Sequence, residues 1–226
     1  MLFTRKNKSL AINDVTRSLF CEYSDKQLSN HVVFKEAYRA LHEHNNEVAM
    51  SELKQLARSP ISRNRIYAWN ELRKLGVFPD AKYAKEVLGI VFEVSVSADS
   101  SKRLTNNVDY LAVYSDYFAQ YINYSGYSTI WKPEQNGDYL NLDFKALLSI
   151  SKMIVSVIDL WNEPRRTSLS NGYMRFSFLT PSGLLFGEGL FSVMANHFLS
   201  KDLLNQATAI MVKIANAKGI DKIKVY

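Results

Sequence analysis

Four carboxylates, Glu93, Asp109, Asp116 and Glu188, stand in or beside segments whose alternating pattern predicts β-strands, so strand pairing can bring them to one end of a sheet. Two carboxyl groups held in unlike surroundings let a hydrolase divide general-acid from general-base work. An acid-base pair drawn from this acidic cluster is the strongest catalytic arrangement these residues offer. Turn caps and solvated charges account for the same four more simply.

The second arrangement is a surface. Val108 to Trp131 (VDYLAVYSDYFAQYINYSGYSTIW) reads as a hairpin turning at Ser115-Asp116-Tyr117-Phe118. With a two-residue turn on Asp116-Tyr117, position 114 pairs with 119, 112 with 121 and 110 with 123, because partners in an antiparallel hairpin sum to a constant. Leu111, Val113, Phe118 and Ile122 then share the core face, and Tyr110, Ala112, Tyr114, Ala119, Tyr121 and Asn123 share the other. Alanines between tyrosines leave a shallow recess rimmed by phenol hydroxyls, suited to a planar ligand or a partner side chain. The expected binding residues are Tyr110, Tyr114, Tyr121 and Asn123, with Ser125 and Gly126 at the end of the strand. The competing reading packs these rings beneath a helix. Asp-Tyr also suits a primed two-residue turn poorly, since both central positions want positive φ, so a longer loop stays open.

Metal and cofactor chemistry finds little support. His42 and His44 are two apart on a predicted helix and point about 200° from one another, which is not the i, i+4 arrangement of a shared metal; His31 and His197 stand alone. No Cys-x-x-Cys, His-Glu-x-x-His, phosphate loop, nucleophile elbow or dinucleotide fingerprint occurs. Gly187-Glu188-Gly189 is a GxG fragment lacking the third glycine, expected at a bulge or a strand end. No metal and no cofactor is expected.

The elements that would position these residues fall into two regions. Residues 1–78 read as helices only, with Phe34, Ala37, Tyr38 and Leu41 at helical spacing, a stop at Ser59-Pro60, and Gly76 placed to end the last of them. Residues 79–226 read as an α+β domain. Asp80 caps a short helix, Ile90 to Val96 is the first strand, Ser97 to Asn107 is an exposed loop, and the central hairpin follows. A helix then runs from Asp143 to Trp161, a second hairpin turns at Thr180-Pro181-Ser182-Gly183, and a last helix ends before Gly219. Short links between strands permit hairpins and not crossovers, so the order predicts a five-stranded antiparallel sheet, βββ-α-ββ-α, profilin-like or roadblock-like by analogy of topology alone. The Asp143 to Trp161 helix carries more apolar positions than one sheet face can cover, which predicts cover by the N-terminal helices or self-association with a second copy.

A chain of 226 residues with 47% hydrophobic and 22% charged residues is a folded protein of one large or two small domains. The lone Cys21 excludes an intramolecular disulfide. The N-terminal MLFTRKNKSLAIND lacks an apolar signal core, and no apolar run reaches membrane-spanning length, so a cytoplasmic location without membrane association is expected. The formal charge of +6 admits an acidic partner. Its densest group, Arg58, Arg63, Arg65, Arg73 and Lys74, spreads over more than one helical face, so nucleic acid is not the expected one.

Three stretches, VLGIVFEVSV, DYLAVYSDYFAQYINYSG and RFSFLTPSGLLFGEG, together resemble a family of bacterial proteins of no assigned activity. That family carries D-x-L-A-x-Y-x-D-G-x-x-R-Y-x-N-x-S-G and a late L-T-P-S-G-x-x-F-G-E-G hairpin. The similarity reaches back through IYAWNELRKLGVFPDAKYAKEVLG and covers most of the chain beyond Ile66. Tyr117 stands where the pattern has Gly, and Gln120 where it often has Arg. The resemblance implies a fold and a bacterial source, and no activity. The leading expectation is a non-catalytic interaction or regulatory protein, with immunity proteins as one instance, acting on a protein partner. The alternatives are a small-molecule sensor on the tyrosine-lined face and a hydrolase on the carboxylates.

Overall fold

The computed structural model describes residues 15–95, 108–161, 163, 166, 168–217, 220 and 222–225; the loop expected over Ser97 to Asn107 and the Gly219 helix end lie outside them. The helical layer comprises α1 (Asp25–Asn30), α2 (Lys35–His42), α3 (Asn46–Leu56), α4 (Ser62–Lys74) and the single turn α5 (Ala81–Ala84). Its ends follow local chemistry. Gln27 Oε1 accepts from Ser24 N at 2.8 Å, closing the start of α1, and Asn45 Oδ1 accepts from Val48 N at the start of α3. Gly76, at φ +77°, ends α4 with Gly76 N donating to Arg73 O and Val77 N to Leu72 O, the paired bonds of a Schellman cap. Asp80 stands at the start of α5 as expected, although its carboxylate makes no capping bond.

The strands are β1 (Gly89–Ser95), β2 (Val108–Tyr114), β3 (Ala119–Ile122), β4 (Tyr127–Trp131), β5 (Tyr173–Thr180), β6 (Gly183–Leu190) and β7 (Lys222–Lys224). They form one sheet in the order β6-β5-β1-β2-β3-β4-β7, antiparallel at every pairing. The α+β class and the antiparallel sheet are as expected, but the described residues form seven strands and not five. One extra strand arises because the second half of the central hairpin folds back at Asn123–Gly126, where Gly126 takes φ +82° and donates to Asn123 O. The other is β7 at the C-terminal end, paired with β4.

Between strands lie α6 (Pro133–Asn136), α7 (Asn141–Val157), α8 (Phe191–Met194) and α9 (Lys201–Asn216). Ile90, Phe92, Leu111, Val113, Phe176 and Phe178 face α7 and α9, with the Phe92 and Phe176 rings stacked at 4.6 Å. On the opposite face Val91, Ala112, Tyr114 and Leu179 meet Leu19, Phe34, Leu53, Ile66, Tyr67 and Leu72 of the helical layer. The sheet is therefore covered on both sides, which explains why Gly89 to Glu93 are all buried instead of alternating. Most apolar positions of α7 pack on the sheet and against α9 together, leaving Leu142, Met153 and Val157 exposed, while the N-terminal helices cover the other face of the sheet and not α7. The helix stops at Val157, short of the expected Trp161, because Ile158 turns to extended backbone.

The central hairpin departs from its expected register by one residue. Its loop has three residues, Ser115-Asp116-Tyr117: Tyr117 N donates to Tyr114 O, Tyr114 N donates to Phe118 O, and Tyr117 adopts φ +64°. That is a type I turn closed by a left-handed residue, the three-residue alternative to a primed turn. The observed partners are Tyr110↔Ile122, Leu111↔Tyr121, Ala112↔Gln120 and Val113↔Ala119. A shift of one exchanges every β3 side chain between faces. Tyr121 and Ala119 thus join Leu111 and Val113, while Phe118 and Ile122 join the cluster beneath the helical layer.

The same loop holds the helical layer down. Asp116 Oδ1 accepts from Phe118 N at 3.2 Å, and its Oδ2 accepts from Ser62 N at 2.9 Å, capping α4 from a different element. The Ser62 and Ser115 hydroxyls lie 2.7 Å apart. Asp116→Ala is expected to lower the unfolding free energy by about 1 to 2 kcal/mol, the usual value of a helix cap, while Asp116→Asn keeps an acceptor and most of the stability. Urea denaturation of the two variants checks this.

Candidate functional site

The largest fully buried side chain is that of Arg175, in β5. Strand register lines it up with Glu93 of β1 on one side and Glu188 of β6 on the other. Its Nε donates to Glu188 Oε2 at 2.7 Å and its Nη1 to Glu93 Oε2 at 3.2 Å. The remaining donors reach the segment that follows α7: Nη1 to Arg166 O at 2.7 Å and Nη2 to Ser168 O at 2.9 Å. Every guanidinium nitrogen is engaged, as burial of a permanent charge requires. Arg166 closes the outer side, 3.5 Å from Glu188 Oε1.

The Gly187-Glu188-Gly189 run serves this network and is regular strand, not a bulge or a strand end. Glu188 faces Arg175, and the two glycines face the other way, where Met194 of α8 lies against them. A Cβ on Gly189 would come within 3.2 Å of Met194 Cγ. A small residue is favoured at 189 because helix α8 turns back directly over its own strand, whereas a Cβ on Gly187 would make only ordinary contact with Met194.

The four candidate carboxylates do not converge. Glu93 and Glu188 meet only through Arg175. Asp109 pairs with Val94 and so belongs to the α7 and α9 side, where its Oδ2 accepts from Tyr121 OH at 2.9 Å and its Oδ1 from Tyr124 N at 2.7 Å. Burial raises the Asp109 pKa, and these two bonds oppose the rise. Asp116 sits at the far end of the hairpin, capping α4. Among the described residues no group of three or more His, Cys, Asp or Glu could hold a metal. Burial pushes the Cys21 thiol up to about 12, which leaves little of the nucleophilic thiolate.

The tyrosine recess is divided by the register. Tyr114 is buried and donates to Leu19 O at 2.8 Å, tying the sheet to the helical layer. Tyr110 is half-buried on that face, and Tyr121 is on the opposite one. Asn123 closes the β3–β4 turn by accepting from Tyr127 N; Gly126 is buried there and Ser125 exposed. The expected single surface of Tyr110, Tyr114, Tyr121 and Asn123 is therefore not one surface.

A different concavity is open, a cleft of about 460 Å³ between α3, α4, α5 and the β5–β6 turn. The end of α3 supplies Lys54 and Arg58, α4 supplies Arg65 and Trp69, and Tyr83, Pro79 and Pro181 complete it. Arg65 is held by Glu86 through two bonds of 3.0 and 2.6 Å. Lys54 and Arg58 have no acidic partner among the described residues. A second cleft, of about 530 Å³ beside residues 20–23, contrasts with it. Its cations are matched: Arg17 to Glu22, Lys74 to Glu71, and Arg73 to Asn70 and Pro181 O. Sequence reasoning missed the open cleft because it sorted cations by the faces of one helix, whereas two helices and a hairpin turn face each other across it. Comparison of the chain with family models, with curated proteins and with solved structures gives no match.

Arg175→Met should cost about 3 to 5 kcal/mol, because it leaves a buried Glu93 without its counter-charge, and Arg175→Met with Glu93→Gln should recover part of that loss. Thermal or urea unfolding of the single and double variants measures both. Asp109 gives a pH signature. A folded pKa above the unfolded value means the fold holds its proton over a window where the unfolded chain does not, so stability falls as pH rises through that window. Asp109→Asn does not titrate, so its melting temperature should rise relative to the original protein between the ordinary carboxylate range and neutrality.

Proposed function

We propose that this is a non-catalytic protein that acts by binding a partner, of the interaction, regulatory or immunity kind. The observation that carries this reading is the distribution of charge. The carboxylates best suited to acid-base work sit in saturated structural contacts, while the unmatched cations Lys54 and Arg58 line an open cleft beside two aromatic rings. A group that already satisfies a buried arginine or a helix end has little freedom to exchange a proton with a substrate. The sensor reading loses its recess to the hairpin register. No described helix is long and apolar enough to cross a membrane, which agrees with a partner met in solution.

Kinship with the bacterial family that shares the LTPSGLLFGEG hairpin is part of the same proposal. Its support is that Glu188 and Gly189 each have a structural duty, which fits a motif that marks a fold and not an active site. The test sets the hydrolase alternative against the binding one. Purified protein is expected to show no turnover on ester, glycoside, phosphoester and amide panels, and Glu188→Gln is expected to change melting temperature alone. Turnover that Glu188→Gln or Asp109→Asn abolishes at unchanged melting temperature would overturn the reading.

A further inference from the structure

We infer that the cleft between α3, α4 and α5 binds an acidic peptide segment of a partner protein, with carboxylates on Lys54 and Arg58 and an apolar side chain against Trp69 and Tyr83. The inference rests on the binding reading above and names the chemistry of the partner.

The walls of the cleft differ in kind. On one side Lys54 and Arg58 close the C-terminal end of α3; the helix dipole favours cations there but leaves their charge unmatched. Arg65 Nε, on the neighbouring helix, is buried with no hydrogen-bond partner. On the other side Trp69 is half-buried, Tyr83 is 50% exposed, and Pro79 and Pro181 add rigid apolar surface. Cations facing aromatic and proline surface match a ligand that carries anionic and apolar groups close together.

A peptide fits better than nucleic acid. Nucleic-acid affinity comes from a track of cations, with about 6 to 10 phosphate contacts in a typical duplex site. Here two cations are unmatched, too few for such a track, and a short peptide can set its carboxylates on them while presenting an apolar side chain towards the wall that carries Asp80. The volume, about 460 Å³, suits a few side chains. The concavity also runs on along α3 past Ser51 and Gln55, beside the same Lys54 and Arg58, which gives an extended chain a way out. The net charge of +6 adds long-range attraction for an acidic segment.

The test uses the full chain and a fluorescein-labelled peptide of alternating Glu and Phe, with an oligo-uridylate of equal charge as the second probe. Fluorescence anisotropy is expected to show saturable peptide binding that weakens with salt. Affinity should fall about tenfold or more in Lys54→Glu/Arg58→Glu, whose exposed positions should leave the fold intact with only a small fall in melting temperature from reversing charge at a helix C-terminus; Lys54→Gln/Arg58→Gln, which places no anion there, should weaken binding in the same direction. Trp69→Phe should remove the change in tryptophan emission on binding. Equal peptide affinity in the charge-reversed variant would mean diffuse attraction and overturn the site. So would tighter binding of the oligonucleotide that the same variant abolishes, or no binding to the original protein. Those failures overturn the cleft and leave the binding reading standing, whereas carboxylate-dependent turnover would overturn that reading and leave peptide binding intact.

Discussion

The three-residue loop Ser115-Asp116-Tyr117 is the constraint from which most of the structure follows. Its length decides which β3 side chains face α7 and α9 and which face the helical layer, since strand parity admits no intermediate. Its carboxylate satisfies the first free backbone donor of α4, so the register of the sheet and the seat of the helical layer are set at one place. Tyr117 takes a left-handed conformation that side chains other than glycine disfavour, and it is retained because the ring packs on the core near Phe144, 6.3 Å between centroids.

Covering the sheet on both faces creates the second requirement. A central strand with two buried sides has no solvent face on which to put a polar residue, yet β1 and β5 carry Glu93 and Arg175, and the edge strand β6 sets Glu188 beside them. They are tolerated because register sets them side by side, and because the segment after α7 returns over the sheet to offer Arg166 O and Ser168 O. A buried guanidinium of this kind contributes more to a unique arrangement than to net stability, since desolvation offsets most of the Coulomb gain. Its dependence on strand alignment and on a returning segment joins parts of the chain that are distant in sequence.

Several of the cations near the clefts and on the helices are matched locally. Arg65 has Glu86, Lys213 has Asp143, and the cations beside residues 20–23 have their own partners. Among the described residues the pair at the end of α3 is unmatched, as are surface lysines such as Lys35, Lys145 and Lys152, but it alone among these lines the cleft. Unmatched cations on a flat surface would mean little. Their place in a concavity with aromatic walls is what gives them a meaning in terms of recognition.

Much of the architecture was determined by the sequence alone. Helical spacing, Pro60, Gly76 and the change of period after Leu88 mark where helices give way to strands, because those signals act within a few residues. The Thr180-Pro181-Ser182-Gly183 turn and the excess of apolar positions on α7 are of the same kind. The candidate site was far less legible. One extra loop residue reverses the facing of Tyr121, and whether a turn has two residues or three depends on a φ value that Tyr117 adopts only with tertiary support. Glu93 and Glu188 read as acid-base candidates or solvated charges until the strand order placed Arg175 between them, and Arg58 read as one cation among several until α3 and α4 were set face to face. Pairing and facing are relations between distant segments, decided by the packing of three layers, and no local pattern encodes them.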